Sequence, residues 1–183
     1  MLSPVIVFPL HVYKLLMYPN GFQKEDGEMI RGTLRNAPLS LKLLVTLGLA
    51  GMAITYLILA LHIYIDTQFN VSLIREAYSS FSWTELVDQT HKYFPYYGIY
   101  IFAFALFTFV LGTSYPEKVK IFFVIVPNLL ILMDIGSMWA IPYIHAVIFS
   151  WVLFFAGSLL ALSFFSLLAL IFYDIWMRKE ERA

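Results

Sequence analysis

Residues 119–173 read VKIFFVIVPNLLILMDIGSMWAIPYIHAVIFSWVLFFAGSLLALSFFSLLALIFY, and this stretch decides the fold. Its only charged side chains are Lys120 and Asp134, with His145 the only other titratable group besides tyrosine. A membrane-spanning helix needs about 20 mainly apolar residues, so the stretch is long enough for two. Pro142 lies near its middle and is expected to break the chain there, leaving spans over 119–141 and 144–173 joined by a tight hairpin. The residues do not alternate apolar and polar, as barrel strands would. In lipid every backbone amide must find its partner within the segment, and that leaves helices.

Working outward, two more stretches qualify by the same rule. Residues 94–113 read FPYYGIYIFAFALFTFVLGT, and residues 41–65 read LKLLVTLGLAGMAITYLILALHIYI. The expected fold is therefore all-α, a polytopic integral membrane protein built as a four-transmembrane-helix bundle. Composition agrees with this reading. Of 183 residues 61% are hydrophobic and 13% charged, against about a quarter charged in soluble domains, so the chain lacks the polar surface to face water all round. The 17 Phe and 12 Tyr suit lipid contact and interface anchoring. Zero formal net charge implies no global pull toward nucleic acid. Zero cysteine excludes thiol redox chemistry, disulfides, iron–sulfur clusters and thiolate metal sites. The opening MLSPVIVFPLHVYKLLMYPNG lacks a basic n-region and is interrupted by prolines, so it does not read as a signal peptide.

Basic residues set the expected orientation. Lys14, Lys24, Arg31, Arg35 and Lys42 precede the first span, Lys118 and Lys120 join spans two and three, and Arg178, Lys179 and Arg182 follow span four. The other side has Arg75 and Lys92 alone. This bias places both termini in the cytoplasm, with a bacterial inner membrane as the natural setting. The chain then divides into a cytoplasmic or interfacial segment (1–40), a transmembrane domain (41–173) and a cytoplasmic tail (174–183). Residues 9–18, which include His11, read as an interfacial helix. In the outer loop, 66–93, Ser82 and Glu85 form a capping box that opens a short amphipathic helix, held at the interface by Trp83 and Tyr93. Tyr173 and Trp176 belong to the cytoplasmic aromatic belt, and Asp174 with Arg178 reads as a solvated helix-end pair. Gly48, Gly51 and Ala53, and Gly157 with Ala161, read as packing seams.

The polar residues within the spans are the candidates for function. Asp134 lies about eight residues from Pro142, roughly 12 Å below the boundary, where a charge is costly and usually faces the bundle interior. With Asn128 and Ser137 it can form a polar seam along one side of its helix. A protonated interhelical hydrogen-bond donor is the structural alternative. His62 ends the first span and His145 begins the fourth, at similar depth, while His91 beside Lys92 reads as solvated. Two imidazoles facing each other across a bundle are what a b-type haem needs, so His62 and His145 are the candidate iron ligands. His62, His145 and Asp134 are the candidate cofactor-binding set. Asp134 lies too deep to close a three-ligand metal site with them, and a quinone head group tolerates that offset better.

This layout resembles, in general plan, the cytochrome b anchor subunits of respiratory dehydrogenases, which are short helical bundles with histidine ligands. The resemblance implies a small membrane subunit of an electron-transfer assembly holding haem b or quinone near the outer face. A structural or assembly subunit without its own cofactor is the first alternative, and a proton-coupled transporter or channel using Asp134 the second. The expected partners are membrane lipid and other membrane subunits or further copies of this chain. Nucleic acid is not expected, because the basic residues are spread over three segments rather than clustered with aromatics. A stand-alone enzyme is not supported, since no nucleophile–base set or phosphate loop is present.

Overall fold

The computed structural model describes residues 33–94 and 102–178. The interfacial helix expected over 9–18, with His11, and the tail beyond Arg178 lie outside the described residues. After a short 3-10 turn (Leu34–Asn36) come α1 (Leu39–Thr67), α2 (Val71–Ser79), α3 (Trp83–Phe94), α4 (Ala103–Gly112), α5 (Glu117–Tyr143) and α6 (Ala146–Phe172), the last continuing into a π-helical turn, Tyr173–Met177. Three of these helices, α1, α5 and α6 with its π-turn, are long and apolar enough to cross a membrane. The segment expected to span 94–113 is described as helix over Ala103–Gly112.

The α5–α6 hairpin differs from expectation in one detail. Pro142 does not break the helix but sits in its last turn, and the break falls at Ile144 and His145. Pro127 is likewise accommodated inside α5. A proline ring clashes with the carbonyl four residues back and removes one ladder bond, but neighbouring helices make this tolerable in a bundle.

Where one amphipathic helix was expected between α1 and α5, two are present before α4. Gln68 and Phe69 adopt left-handed φ values of 51° and 52°, which turn the chain sharply out of α1. Non-glycine residues there cost of the order of 1–3 kcal/mol each. Asn70 then caps α2 by accepting from the Ser72 backbone N–H at 2.9 Å. The expected capping box opens α3: Glu85 Oε2 accepts from the Ser82 N–H and hydroxyl, both at 2.7 Å, and the Glu85 N–H donates back to Ser82 Oγ at 3.4 Å. These bonds hold the Glu85 carboxyl below its ordinary range, the backbone bond contributing most. Trp83 packs edge-on against Trp139 of α5, with ring centroids 4.7 Å apart. The Trp139 indole N–H donates to Thr90 at 2.7 Å, so α3 is latched to the end of α5 at two points, Trp83 and Thr90.

The dense core lies toward the opposite end of the bundle. Leu49, Phe102, Ala105, Phe109, Phe164, Leu167 and Ile171 are essentially inaccessible. Phe102 meets Phe164 at 5.3 Å, and Phe109 meets Phe123 and Tyr115, each at 5.4 Å. Such aromatic pairs contribute about 0.5–1.5 kcal/mol beyond the area they bury. At Gly112 the backbone approaches Leu34 so closely that an added Cβ would lie 2.4 Å from Leu34 Cδ1. By contrast α1 buries only one edge, at Val45, Leu49, Tyr56 and Thr67, while Leu44, Leu47, Ile54 and Ile58 face outward.

The end where α4 meets α5 carries two buried charges that the sequence reading places in water. Asp174 is fully buried in the π-turn. It accepts from the Ser114 N–H at 3.1 Å, from the Ser114 hydroxyl at 2.6 Å and from Arg178 at 3.3 Å. The expected solvated pair is thus part of a lock in which Asp174 is fully buried while Arg178 keeps contact with water. Lys120, expected in a cytoplasmic loop, is also buried. Its ammonium donates to the carbonyls of Val110 and Thr113 at 2.8 and 2.9 Å, capping the C-terminus of α4. Tyr115 donates to the Leu170 carbonyl at 3.2 Å beneath the Arg178 guanidinium. Burial, then the Asp174 charge, holds its phenol above the ordinary value. Trp176 donates to Thr46 at 3.0 Å and so ties the π-turn to the first turns of α1.

Candidate functional site

A cavity of ≈ 430 Å³ opens above the aromatic core, between α1, α2, α5 and α6. Its floor is Tyr56, whose ring stacks on Phe164 with centroids 4.9 Å apart. Its walls are apolar, from Leu59, Ile63, Ile74, Met138 and Leu153 among others. The polar groups on it are few: the Tyr56 and Tyr78 hydroxyls, Thr67, Ser158 and the carboxyl of Asp134. That ratio, a greasy space with a handful of convergent polar groups, is typical of small-molecule sites.

Each polar group is placed by its helix. Asp134 sits mid-way along α5, and its carboxyl turns from the lipid side toward α6, where Gly157 makes room for it. A Cβ added at Gly157 would lie 3.3 Å from Asp134 Oδ1. The Gly157–Ala161 seam therefore does more than bring helices close: it leaves a recess that the carboxyl fills. Tyr56 is a residue that α1 turns inward, 5% exposed, and it lines the cavity together with Asp134. Composition and spacing gave no reason to single out Tyr56 among twelve tyrosines. The available signal was that it alone lies mid-span in the first apolar run.

The expected seam of Asn128, Asp134 and Ser137 is not assembled. Asn128 is exposed and donates to the Val124 carbonyl of its own helix at 2.7 Å. Ser137 is buried but donates to the Met133 carbonyl at 2.6 Å. Both satisfy themselves one turn back, as short polar side chains in spanning helices do. Asp134 alone of the three reaches the cavity.

The histidines occupy local roles away from the cavity lining. His62 is exposed, with Nε2 3.6 Å from Asp66 one turn on. His145 is exposed and N-caps α6, its Nδ1 accepting from the Ile148 N–H at 3.3 Å. In a neutral imidazole an accepting Nδ1 leaves the proton on Nε2. Iron ligation through Nε2 needs the opposite tautomer, with Nδ1 donating. In this arrangement His145 serves as a helix cap. His91, in the last turn of α3, is exposed. Among the described residues no three His, Asp or Glu side chains cluster as a metal site.

No curated protein and no solved structure matches the chain. A family model described as a transmembrane helical domain, Aq_1264_TM, matches residues 75–182. That match runs from α2 through the cavity-lining faces of α5 and α6 to the segment beyond the π-turn, more than half of the sequence. Three long apolar helices and this match agree, and the chain is an integral membrane protein belonging to the Aq_1264_TM family of transmembrane helical domains.

Proposed function

We propose that the chain is a small membrane subunit of an electron-transfer assembly and that its cavity takes a quinone head group between Tyr56 and Asp134. The observation that carries this reading is a mid-helix carboxyl turned into a mainly apolar ≈ 430 Å³ cavity that Tyr56 also lines. Ionisable residues within spans are rare and mark substrate or proton pathways. A quinone is a flat apolar ring with two hydrogen-bond acceptors, which matches greasy walls and two polar contacts at one end. Its reduction takes up protons along with electrons, and a carboxyl beside the carbonyl oxygen can relay one of them. In this reading the electrons come from a partner subunit of the assembly.

In the same reading the chain crosses a bacterial inner membrane four times, with both termini in the cytoplasm. The excess of basic residues on that side supports this orientation. Burial of Lys120 removes one residue from the count without reversing the bias. The α2–α3 end, where the cavity lies, then faces the outer side.

A photoactivatable short-tailed quinone tests the proposal in detergent-solubilised protein. Crosslinks are expected on peptides of α1 and α5 around Tyr56 and Asp134. Asp134→Asn and Tyr56→Phe each lower affinity about fivefold, the equivalent of roughly 1 kcal/mol per hydrogen bond. His62→Ala and His145→Ala leave it unchanged. Crosslinks confined to lipid-facing positions, or insensitivity to both cavity variants, overturn the reading. A dithionite-reduced haem α-band lost in His145→Ala would return the site to the histidines.

The assembly-subunit reading draws on a separate observation, the outward apolar face of α1 at Leu44, Leu47, Ile54 and Ile58. A partner helix seated there would co-purify at fixed stoichiometry and be released by Leu47→Trp or Ile54→Trp.

A further inference from the structure

A second concave surface adjoins the Asp134 cavity, with which it shares Phe69 and Phe154, and continues round α6 to the α5–α6 face. It has two parts. The first is a hollow at the α1–α2 turn, where Gln68, Asn70, Ser72 and Arg75 stand among the apolar Phe69, Val71, Trp151 and Phe154. The second is an apolar groove between α5 and α6, lined by Leu130, Met133, Ile148, Trp151, Phe155 and Leu159. Trp151 lines both, so the hollow and the groove meet at its indole. The ring stacks on Phe155 with centroids 5.8 Å apart, which continues the aromatic wall down the groove.

Three features say what fits. Arg75 is exposed and, among the described residues, makes no hydrogen bond or ion pair, and no carboxylate lines the hollow. The hollow is therefore positive and ready for an anion. The groove is almost purely apolar and follows α6 from Ile148 to Leu159, which at 1.5 Å per residue is about 16 Å of length. It runs from the end of the hairpin toward the middle of the span, along the direction an acyl chain takes in the bilayer. Trp151 stands at the junction, where an amphipathic ring marks the headgroup level.

The geometry points to a binding site for one anionic phospholipid, its phosphate at Arg75 in the α1–α2 hollow and an acyl chain along the α5–α6 groove past Trp151. The hollow borders the Asp134 cavity at Phe69 and Phe154, but neither part of the lipid site uses Tyr56 or Asp134. A basic residue near an anionic lipid surface contributes about fivefold in binding. The polar side chains of Gln68, Asn70 and Ser72 add hydrogen-bonding partners for the ester and phosphate oxygens.

The test uses the whole chain reconstituted in phosphatidylcholine vesicles. Either phosphatidylglycerol or phosphatidylcholine carrying acyl-chain bromines is added as a fluorescence quencher. The Trp151 contribution is the difference between the wild-type protein and Trp151→Phe. Half-maximal quenching of Trp151 is expected at an about fivefold lower fraction of brominated phosphatidylglycerol than of brominated phosphatidylcholine. Arg75→Gln removes the preference and Arg75→Lys keeps most of it. Met133→Phe, which fills the groove without adding a fluorophore that interferes, weakens quenching of Trp151 by both lipids. Because Arg75 and Met133 are on the surface, these variants leave the core untouched. Equal quenching by the two lipids in wild-type protein overturns the proposal. So does displacement of phosphatidylglycerol by millimolar inorganic phosphate, which would make the hollow a free-anion site without a lipid.

Discussion

Replacing Asp174 with alanine is expected to destabilise the protein by about 3–5 kcal/mol, the cost of breaking a buried charge pair on one side. The structure supplies the terms. Two bonds from Ser114, at 2.6 and 3.1 Å, end on a carboxylate with no solvent exposure, and hydrogen bonds to charged groups contribute about 1.5–3 kcal/mol each. The Arg178 bond is longer, and the guanidinium is 38% exposed, so it recovers water when its partner is lost and adds little. Asp174→Asn keeps one accepting oxygen and should cost about half as much. Ser114→Ala removes only the hydroxyl and should cost about 1–2 kcal/mol. The carboxylate and the hydroxyl share one bond, so the double variant should fall short of additivity by at least 0.5 kcal/mol, roughly the smallest coupling seen for residues in contact. Reversible unfolding in mixed detergent micelles, followed by tryptophan fluorescence and far-ultraviolet circular dichroism, measures all four. An Asp174→Ala variant within about 0.5 kcal/mol of wild type, the range of ordinary surface changes, would show that the lock contributes nothing.

Three further outcomes are expected. Gly112→Ala should cost about 1–3 kcal/mol in the same unfolding assay, because the new Cβ overlaps Leu34; Gly51→Ala, with open space around it, should be neutral or slightly stabilising. The pH dependence of α3 follows from Glu85. Its folded-state carboxyl titrates below the ordinary value, so the capping box stabilises α3 at and above the ordinary carboxyl range and loses that contribution as pH falls through the lowered value. Trp83 fluorescence should report release of α3 on acidification, and Glu85→Gln should flatten the curve. Thr90→Val removes the acceptor for the Trp139 indole and should raise amide exchange across Trp83–Phe94 several-fold, corresponding to about 1 kcal/mol of lost latch. Unchanged exchange would assign the latch to the Trp83–Trp139 ring contact alone.

The apolar runs were legible because lipid imposes a length and a composition that few other settings demand, and α1, α5 and α6 follow them closely. The capping box at Ser82 and Glu85 was legible because its partners are three residues apart. What could not be read depends on which face a residue presents. Lys120 and Asp174 look like loop and tail charges in sequence, yet their partners are backbone carbonyls at the C-terminal end of α4 and a serine sixty positions away. Asn128 and Ser137 share a helix with Asp134, but each turns back to its own backbone, and nothing in their spacing announces it. The cavity itself was half legible. Asp134 stood out as a carboxyl in an apolar run, while Tyr56 and Gly157, which give it a floor and a recess, are ordinary residues until three helices are brought together.

The two-residue turn between α5 and α6 has a consequence for how the protein enters the bilayer. A helix bearing a mid-span carboxyl is a poor candidate for insertion by itself, since that group adds about 2.5–3.5 kcal/mol to partitioning. Here the next segment to leave the ribosome carries Gly157, the recess against which the carboxyl rests, and the connection is too short to let the two helices separate. The pair is thus built to partition as one hairpin, with the costly group covered before it meets hydrocarbon. Lengthening the turn with a flexible insert, or filling the recess with Gly157→Leu, should therefore reduce the yield of inserted protein in a translocon assay before it alters any property of the finished fold.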